Sequence, residues 1–401
     1  MGLGRDFISI MQGSALPRAF VSTVASLGVY LILYYTTVED FDELRYLAHP
    51  YTVGFLASVT CFAIIFRSQS AIARYYEAAR ETHSMQSKIA DATSMAVTFS
   101  YTALMDQAVG TEAYEAKLRA HTEFCDMMIH TASLFVATAY LILRDDECLN
   151  YSVHVSGRIP APRVPSGIAK FKPFWHQDFP TWFRNTFTFA NVNTDYRKEY
   201  YKFASIPVIG EVTKRERKIL SMANGPLAKA HLVMHWITEA ITSYHLKGGF
   251  GQVHPPIVSR LFQEISNGML GFSQAKRIAH LPFPFIYAQL TEFLVIILII
   301  MIPFLMIVFV NSFFLGIIFT FCSCMGVCSL YEATRELEDP FLFEPNDLPL
   351  CTWQGEFNEM LLLLNKYSSG SDEWEHEVSQ GAQKEIIVAS QVGDLQESRY
   401  L

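Results

Sequence analysis

Charged residues are scarce in this sequence, and the patterns that usually mark an enzyme or a nucleic-acid-binding protein are missing. Asp, Glu, Lys and Arg make up 17% of the 401 residues and the formal net charge is −8. No basic module is present, so we expect no nucleic-acid partner. The sequence also has no Gly-rich phosphate loop, dinucleotide fingerprint or nucleophile elbow. We therefore expect no catalytic residues and no required cofactor.

Cysteine and metal chemistry are also poorly supported. The seven cysteines stand at irregular positions, and an odd count builds no disulfide framework. His231, His235 and Glu239 share one helix face at the spacing of zinc ligands, but no Cys or further His joins them in a metal signature. Surface or satisfied histidines are the preferred interpretation. We see no cleavable signal peptide, and a transit segment removed from a longer precursor stays open.

Long uncharged runs are what the sequence does contain, since 51% of its residues are hydrophobic and 14% are aromatic. Four runs have lengths suited to a bilayer core: residues 19–37, 51–66, 290–310 and 313–331. The link between the first two is acidic, so the positive-inside rule places it on the outer side. Four spans then place both termini on the inner side. Only Asn311 and Ser312 separate the last two runs, which predicts a tight hairpin.

The intervening residues differ in character from the four apolar runs. They show helical periodicity with mixed polarity, interrupted by turn residues at 224–226, 248–249 and 254–256. The predicted organisation is an N-terminal arm (1–18), two transmembrane helices (19–80), a helical extramembrane domain (81–289) with a loop-rich insertion at about 146–210, two further transmembrane helices (290–331), a post-membrane segment (332–367) and a polar tail (368–401).

One face of the second run has the composition of a pore constriction. Gly54, Ser58, Phe62 and Phe66 follow one another at a spacing of four, so they share a helix face. Around an axis of identical helices, this face would form a neck of small and aromatic residues. Aromatic rings have positive edges, which tolerate a partly dehydrated anion. Plain helix packing is the alternative, and it is the commoner cause of such a stripe.

A second feature that favours conduction is the segment from His254 to Val258. Its double proline, Pro255 and Pro256, predicts a helix start and places Ile257 at the positive end of the helix dipole. Identical helix starts around an axis would form an apolar ring with anion-binding amides nearby. The alternative is a helix start in an ordinary core, with Ile257 buried.

Three segments in order along the chain resemble the bestrophin family of anion channels, and its plant, algal and bacterial branch in particular. Residues 66–80 (FRSQSAIARYYEAAR) resemble the signature that follows the second span, and residues 281–290 (LPFPFIYAQL) resemble the segment leading into the third. Residues 336–350 (ELEDPFLFEPNDLPL) resemble the block after the fourth span. The resemblance covers about residues 15–365, but it does not include the insertion or the tail.

The resemblance implies an all-α membrane protein that assembles as a homopentamer, with the second spans lining one central pore. The family's hydrophobic neck falls on Ser58, Phe62 and Phe66, and its inner constriction falls on Ile257. Ser58 departs from the apolar residue that is usual at the first neck position. The implied function is passive conduction of chloride and other monovalent anions, through a basic or amide-lined vestibule, within membrane lipid.

The resemblance also raises the question of calcium. Animal members carry a calcium clasp after the fourth span, and Asp339, Glu344 and Asp347 occupy similar positions here. The dense acidic run of that clasp is replaced by aromatic, proline and amide residues, so we do not expect calcium to be required. Capping of turns by Asp339 and Asp347 is the alternative role. Similarity to the thylakoid voltage-dependent chloride channel makes a thylakoid or other organellar membrane the first candidate, with the plasma membrane as alternative.

Other functions stay open at this stage. Bicarbonate or nitrate could be the preferred anion. The protein could instead be a non-conducting membrane scaffold or receptor whose inner domain binds a partner. A coupled transporter would need ionisable groups within the spans, and Glu292 is the clear candidate.

Overall fold

All regular structure in the computed structural model is α-helical over the residues that it describes, which are 15–36, 50–108, 110–144, 206–223, 225–341 and 347–368. The predicted all-α fold class is therefore confirmed. The acidic link, most of the insertion, Glu344 and the tail lie outside the described residues. The described helices are α1 (Leu16–Thr36), α2 (Pro50–Met105), α3 (Glu112–Leu143), α4 (Lys214–Met222), α5 (Pro226–Leu246), α6 (Pro255–His280), α7 (Phe285–Phe309), α8 (Phe313–Leu337) and α9 (Leu350–Ser368).

Helix α2 is long enough to cross a bilayer and continue far beyond it. It begins at Pro50, as the His-Pro pair predicts, and contains 56 residues. At 1.5 Å per residue its length is about 84 Å, whereas the hydrocarbon core of a bilayer is about 30 Å thick. The second half of α2 must therefore lie outside the membrane. The predicted boundary at residue 80 falls inside this helix, at a point where the helix has no interruption.

Five of the described helices are long and apolar enough to cross a membrane. Within the apolar windows of α1, α2, α7 and α8, between 22% and 28% of the residues are buried, which leaves apolar side chains available to lipid or to other subunits. The window of α3 is 83% buried. Protein packing therefore accounts for the apolar character of α3, because a helix that is apolar all round can belong to a core as well as to a bilayer.

Helices α7 and α8 form the predicted tight hairpin, joined by residues 310–312. Helix α1 packs against both of them. The hydroxyl of Ser26 donates to the carbonyl of Ile299, at 3.1 Å, and lies 3.1 Å from the sulfur of Cys324. Gly316 leaves room for the phenol of Tyr30, whose oxygen would lie only 2.0 Å from a Cβ at that position. Small residues thus let the helices approach closely, as is usual in membranes.

The main core lies in the predicted extramembrane domain (81–289), which we call the inner domain. There the second half of α2 packs with α3, α5, α6 and α9. Helices α2 and α6 come so close that a Cβ on Gly271 would lie 2.9 Å from the backbone nitrogen of Met85. The helix breaks predicted near residues 224–226 and 254–256 are the starts of α5 and α6, each with proline in its first turn. Proline suits this position because the first amides of a helix have no partner within it.

The last residues of the insertion, 206–210, are tied to this core by side-chain hydrogen bonds to their backbone. The amide of Ile209 donates to the hydroxyl of Ser133, at 3.1 Å, and the amide group of Asn358 donates to the carbonyl of Pro207, at 3.0 Å. Ser133 in turn donates to the side-chain oxygen of Asn358. A segment without regular structure is therefore held by α3 and α9, which satisfy its buried polar groups.

Candidate functional site: an uncovered face of α2 and the helix junction behind it

The predicted neck residues lie on one face of α2 that the other described residues leave uncovered. Phe62 is 78% exposed and Phe66 is 58% exposed. Ser58 is also exposed, and its hydroxyl donates to the carbonyl of Gly54, at 2.7 Å. This hydrogen bond lowers the free-energy cost of placing the hydroxyl in an apolar environment. On the opposite face, Ile64 is 2% exposed. Each large ring on the uncovered face is therefore available to lipid or to another copy of the chain.

Among the described residues, Phe66 has one aromatic neighbour. Its ring meets the ring of Tyr287, at the start of α7, with 5.6 Å between centroids and an interplanar angle of 62°. The hydroxyl of Tyr287 donates to the carbonyl of Ala63, at 3.4 Å. This edge-on geometry is favourable for two rings, so α7 supports one side of Phe66 while its other side stays open.

Ile257 is 46% exposed at the first turn of α6, so it does not lie in a core. The expectation of anion-binding amides beside it is wrong. Pro255 and Pro256 have no N–H group, and the amide of Ile257 donates to the carbonyl of His254, at 2.9 Å. The amide of Val258 donates to the same carbonyl, at 3.3 Å. This helix start presents an apolar side chain without free amide donors in its first turn.

The described acidic residues of the calcium-clasp segment do not form a metal cluster. The carboxylate of Asp339 lies 3.9 Å from the guanidinium of Arg74, and its side chain is 53% exposed. The loop that contains Asp347 closes where the amide of Leu348 donates to the carbonyl of Pro340, at 3.0 Å. Within the described ranges, no group of three or more His, Cys, Asp or Glu side chains could hold a metal ion. His231, His235 and Glu239 are exposed on α5.

The charged residues that follow the neck are buried in part. Arg67 is only 3% exposed. Its Nε and Nη2 donate to the two carboxylate oxygens of Glu338, at 2.5 and 2.9 Å. Its guanidinium carbon also lies 5.6 Å from the ring centre of Phe283 and 5.2 Å from that of Tyr331. The charge is accommodated because the carboxylate and the two rings replace its hydration.

Arg74 lies two turns further along the same face of α2 and donates to backbone carbonyls, in addition to its 3.9 Å ion pair with Asp339. Its Nε donates to the carbonyl of Glu338, at 2.8 Å, and its Nη2 donates to the carbonyl of Ile278, at 2.6 Å. These carbonyls belong to the ends of α8 and α6, where backbone acceptors lack helical partners. A cation at a helix C-terminus is also favoured by the helix dipole.

The three segments singled out in the sequence therefore meet at this junction, which we call the α2–α8 junction and define by Arg67, Arg74, Phe283, Tyr331 and Glu338. The first segment contributes both arginines, the second contributes Phe283, and the third contributes Glu338. Sequence reasoning gave these residues no role. Two arginines seven residues apart in one motif and a glutamate in another are visible in the sequence. Nothing in the sequence alone indicates that the arginines contact the glutamate.

Comparisons with known proteins agree with this architecture. Residues 211–360 match the family model described as Bacterial/Fungal Bestrophin protein. A search of curated proteins found no match. The fold resembles the crystal structure of a bacterial bestrophin homologue from Klebsiella pneumoniae, with a TM-score of 0.55, 14% identity, and coverage of 87% of this chain and 97% of that one. The fold also resembles a single-residue variant of a Klebsiella pneumoniae bestrophin homologue. That match has a TM-score of 0.56 and 13% identity, and it covers 87% of this chain and 98% of the other.

The helices, the uncovered apolar faces and the buried junction define an integral membrane protein that is all-helical in its described part. More specifically, residues 211–360 match the bestrophin family model, and the fold over most of the chain is similar to that of bacterial bestrophin homologues.

Proposed function

We propose that the protein is an ion channel that conducts chloride and other monovalent anions passively, as a homopentamer with α2 around a central pore. The observation that carries this proposal is the exposure of Phe62 and Phe66, 78% and 58%, on a helix whose opposite face is closely packed. A second copy of the chain on that side would cover these rings and complete a neck. The match of residues 211–360 to the bestrophin family model supports the same arrangement.

In this proposal Phe62 and Phe66 form the narrow part of the pore. An anion would lose part of its hydration shell there and meet the positive edges of the phenylalanine rings, whereas the apolar bore would resist a continuous water column. Ser58 would form a less apolar ring on the outer side of the neck. Ile257 would form the inner constriction, which would act by its apolar bulk because its helix start offers no free amide.

The inner vestibule in this proposal has mixed polarity rather than a basic lining. The face of α2 that bears Phe62 and Phe66 continues into the inner domain at helical spacing, through Arg80, Ser87, Asp91 and Thr98. All four are exposed, and Asp91 forms an ion pair with Lys88, at 3.3 Å. One cation and one paired carboxylate give this face little net charge, so most of the selectivity would arise at the neck.

The finer properties follow from the resemblance and stay proposals. Chloride is the expected permeant, with bicarbonate or nitrate as alternatives, and voltage is the expected influence on gating. A thylakoid or other organellar membrane is the first candidate location. A non-conducting scaffold would leave Phe62 and Phe66 without a role in transport, and a coupled transporter would depend on Glu292, which is half-buried at the start of α7.

The test is the reversal potential of the purified protein in a planar bilayer under a KCl gradient. We expect the wild-type current to reverse near the chloride equilibrium potential. Phe62→Ala with Phe66→Ala should change the chloride-to-potassium permeability ratio by on the order of tenfold, which corresponds to about 1.4 kcal/mol in the relative barriers.

The matched control is Phe293→Ala with Phe304→Ala, because these phenylalanines are also exposed on a membrane helix but lie on α7. This control should leave the ratio unchanged. Reversal near the potassium potential would contradict the proposal, and absence of current from the assembled protein would favour the scaffold.

A further inference from the structure

We infer that Arg67 and Glu338 form a positioning pair that sets the rotation of α2 and thereby the direction in which the neck ring of Phe66 points. This inference rests on the proposed function for its consequence on selectivity. The pair lies directly behind the neck, because Arg67 follows Phe66 in the chain and consecutive helix residues point about 100° apart. Whatever holds Arg67 in one direction also limits the direction of Phe66.

Two kinds of contact define the direction of Arg67. Two parallel hydrogen bonds join its guanidinium to the carboxylate of Glu338, a fork geometry that a single point charge does not reproduce. The rings of Phe283 and Tyr331 lie within 5.6 Å of the guanidinium carbon. A turn of α2 by one residue position would separate all of these groups at once.

Burial makes the pair a determinant of orientation more than of stability. The two side chains are 4% and 9% exposed, so both charges have lost most of their hydration. A buried ion pair often contributes no more than a well-packed apolar pair would, whereas a lone buried charge is strongly destabilising. States of the helix in which Arg67 and Glu338 separate are therefore excluded, and one rotation of α2 is selected.

Arg74 gives the junction a second point of attachment. It lies seven residues after Arg67 and binds the backbone carbonyl of the same Glu338, at 2.8 Å. The end of α8 is thus attached to α2 at two levels, and a rotation of α2 would have to break both. On the front side, the contact of Phe66 with Tyr287 gives the ring a fixed neighbour in the selected state.

The experiment separates the charge of the pair from its geometry. The single variants Arg67→Gln and Glu338→Gln each leave one lone buried charge, and we expect each to lower the yield of assembled protein by more than about tenfold. The double variant Arg67→Gln with Glu338→Gln removes both charges, so assembled protein should return. Arg67→Lys keeps the charge but loses the fork. For the double variant and for Arg67→Lys, we expect the chloride-to-potassium permeability ratio to differ from wild type by on the order of threefold.

The matched control is the hydrogen bond between Ser100 and Tyr244, which also joins α2 to a neighbouring helix, at 2.6 Å. Ser100 lies about 50 Å along α2 from Arg67 at 1.5 Å per residue. Tyr244→Phe should therefore leave the permeability ratio unchanged. A wild-type ratio in both Arg67→Lys and the neutral double variant would overturn the inference and leave anion conduction intact.

A readout without current keeps the inference testable if the wild type conducts no anions. Cys61 is an exposed free thiol on α2, six residues before Arg67. Its rate of modification by a lipid-soluble maleimide, followed by peptide mass spectrometry, reports rotation of this part of the helix. We expect a changed rate in Arg67→Lys and in the neutral double variant, but not in the Tyr244→Phe control. Equal rates in all four proteins would overturn the positioning role on structural grounds alone.

Discussion

At the scale of single residues, the imidazole of His130 shows how the inner domain holds residues 206–210, which have no regular secondary structure. Its Nδ1 lies 2.6 Å from the carbonyl oxygen of Ile209, and its Nε2 lies 3.1 Å from a carboxylate oxygen of Glu216. Both neighbours are acceptors, so only the doubly protonated ring satisfies both contacts. Burial opposes the charge, but the hydrogen bonds to Glu216 and Ile209 outweigh it and raise the pKa of His130 above its usual value.

The contact with His130 also changes the pKa of Glu216. Burial would raise the pKa of Glu216, but the hydrogen bonds from His130 and Thr213 lower it to about 2. Glu216 is thus ionised over the range in which His130 titrates. The carboxylate also completes the capping box of α4, since it accepts from the amide of Thr213 at 2.8 Å.

The raised pKa of His130 predicts a loss of stability as pH increases. A group whose pKa is raised by folding contributes stability below its unfolded pKa, about 6.5, and loses that contribution as pH rises through the folded value. We expect the midpoint of thermal unfolding in detergent to fall from pH 6 to pH 9 more steeply for wild type than for His130→Gln. Parallel profiles for the two proteins would contradict this prediction. His245→Gln is a control, because that histidine lies on α5, away from Glu216.

At the scale of helices, α2 and α6 pack with almost no side chain between their backbones. The Cβ of an alanine at Gly271 would lie 2.9 Å from the backbone nitrogen of Met85 and 3.1 Å from the carbonyl oxygen of Glu81. Neither backbone atom can move without displacing α2. Since α2 carries both the neck and the α2–α8 junction, this packing connects the inner domain to the pore face.

Gly271→Ala should therefore destabilise the protein by about 1–3 kcal/mol, the usual range for overpacking. The measurement is the midpoint of thermal unfolding in detergent, with Gly326→Ala as a control, because a Cβ at Gly326 would meet nothing within 4 Å. The control should equal or exceed wild type, since alanine is the better helix former. An unchanged midpoint for Gly271→Ala would show that the two helices separate more easily than their packing indicates.

At the scale of the whole molecule, the uncovered rings of α2 require an environment that one chain does not provide. Phe62 and Phe66 would either face lipid or be covered by neighbouring subunits, and only the second arrangement gives them a role in conduction. We expect cross-linking of the purified protein to give a ladder that ends at the pentamer. A ladder that ends at the dimer would exclude a single central pore lined by this face.

Calcium is the other question at this scale. The guanidinium of Arg74 lies 3.9 Å from the carboxylate of Asp339, so a bound cation would meet a positive charge beside one of its ligands. We therefore expect anion current to persist when calcium is chelated, and Asp339→Asn with Asp347→Asn to leave it unchanged. Current that disappears with chelator and returns with calcium would show that the clasp is functional despite Arg74.

The sequence by itself determined the features that depend on local pattern. Uncharged runs indicated the membrane helices, proline and glycine marked the helix starts and breaks, and the spacing of Ser58, Phe62 and Phe66 placed them on one face. These predictions succeed because hydrophobic periodicity and backbone restriction act within a few residues. The family resemblance depended equally on three short segments in their order along the chain.

Only the tertiary structure decided which polar residues are buried and with what partners. Arg67 and Glu338 are 271 residues apart, and neither has a local pattern that predicts burial. Charged residues usually lie in water unless they are paired, so the run of charges after the neck gives no sign of burial by itself. The pairing partner is supplied by chain topology, which returns α8 to the side of α2 behind the neck. Likewise, the use of the Ile257 amide within its own helix start depends on backbone geometry that residue identities do not reveal.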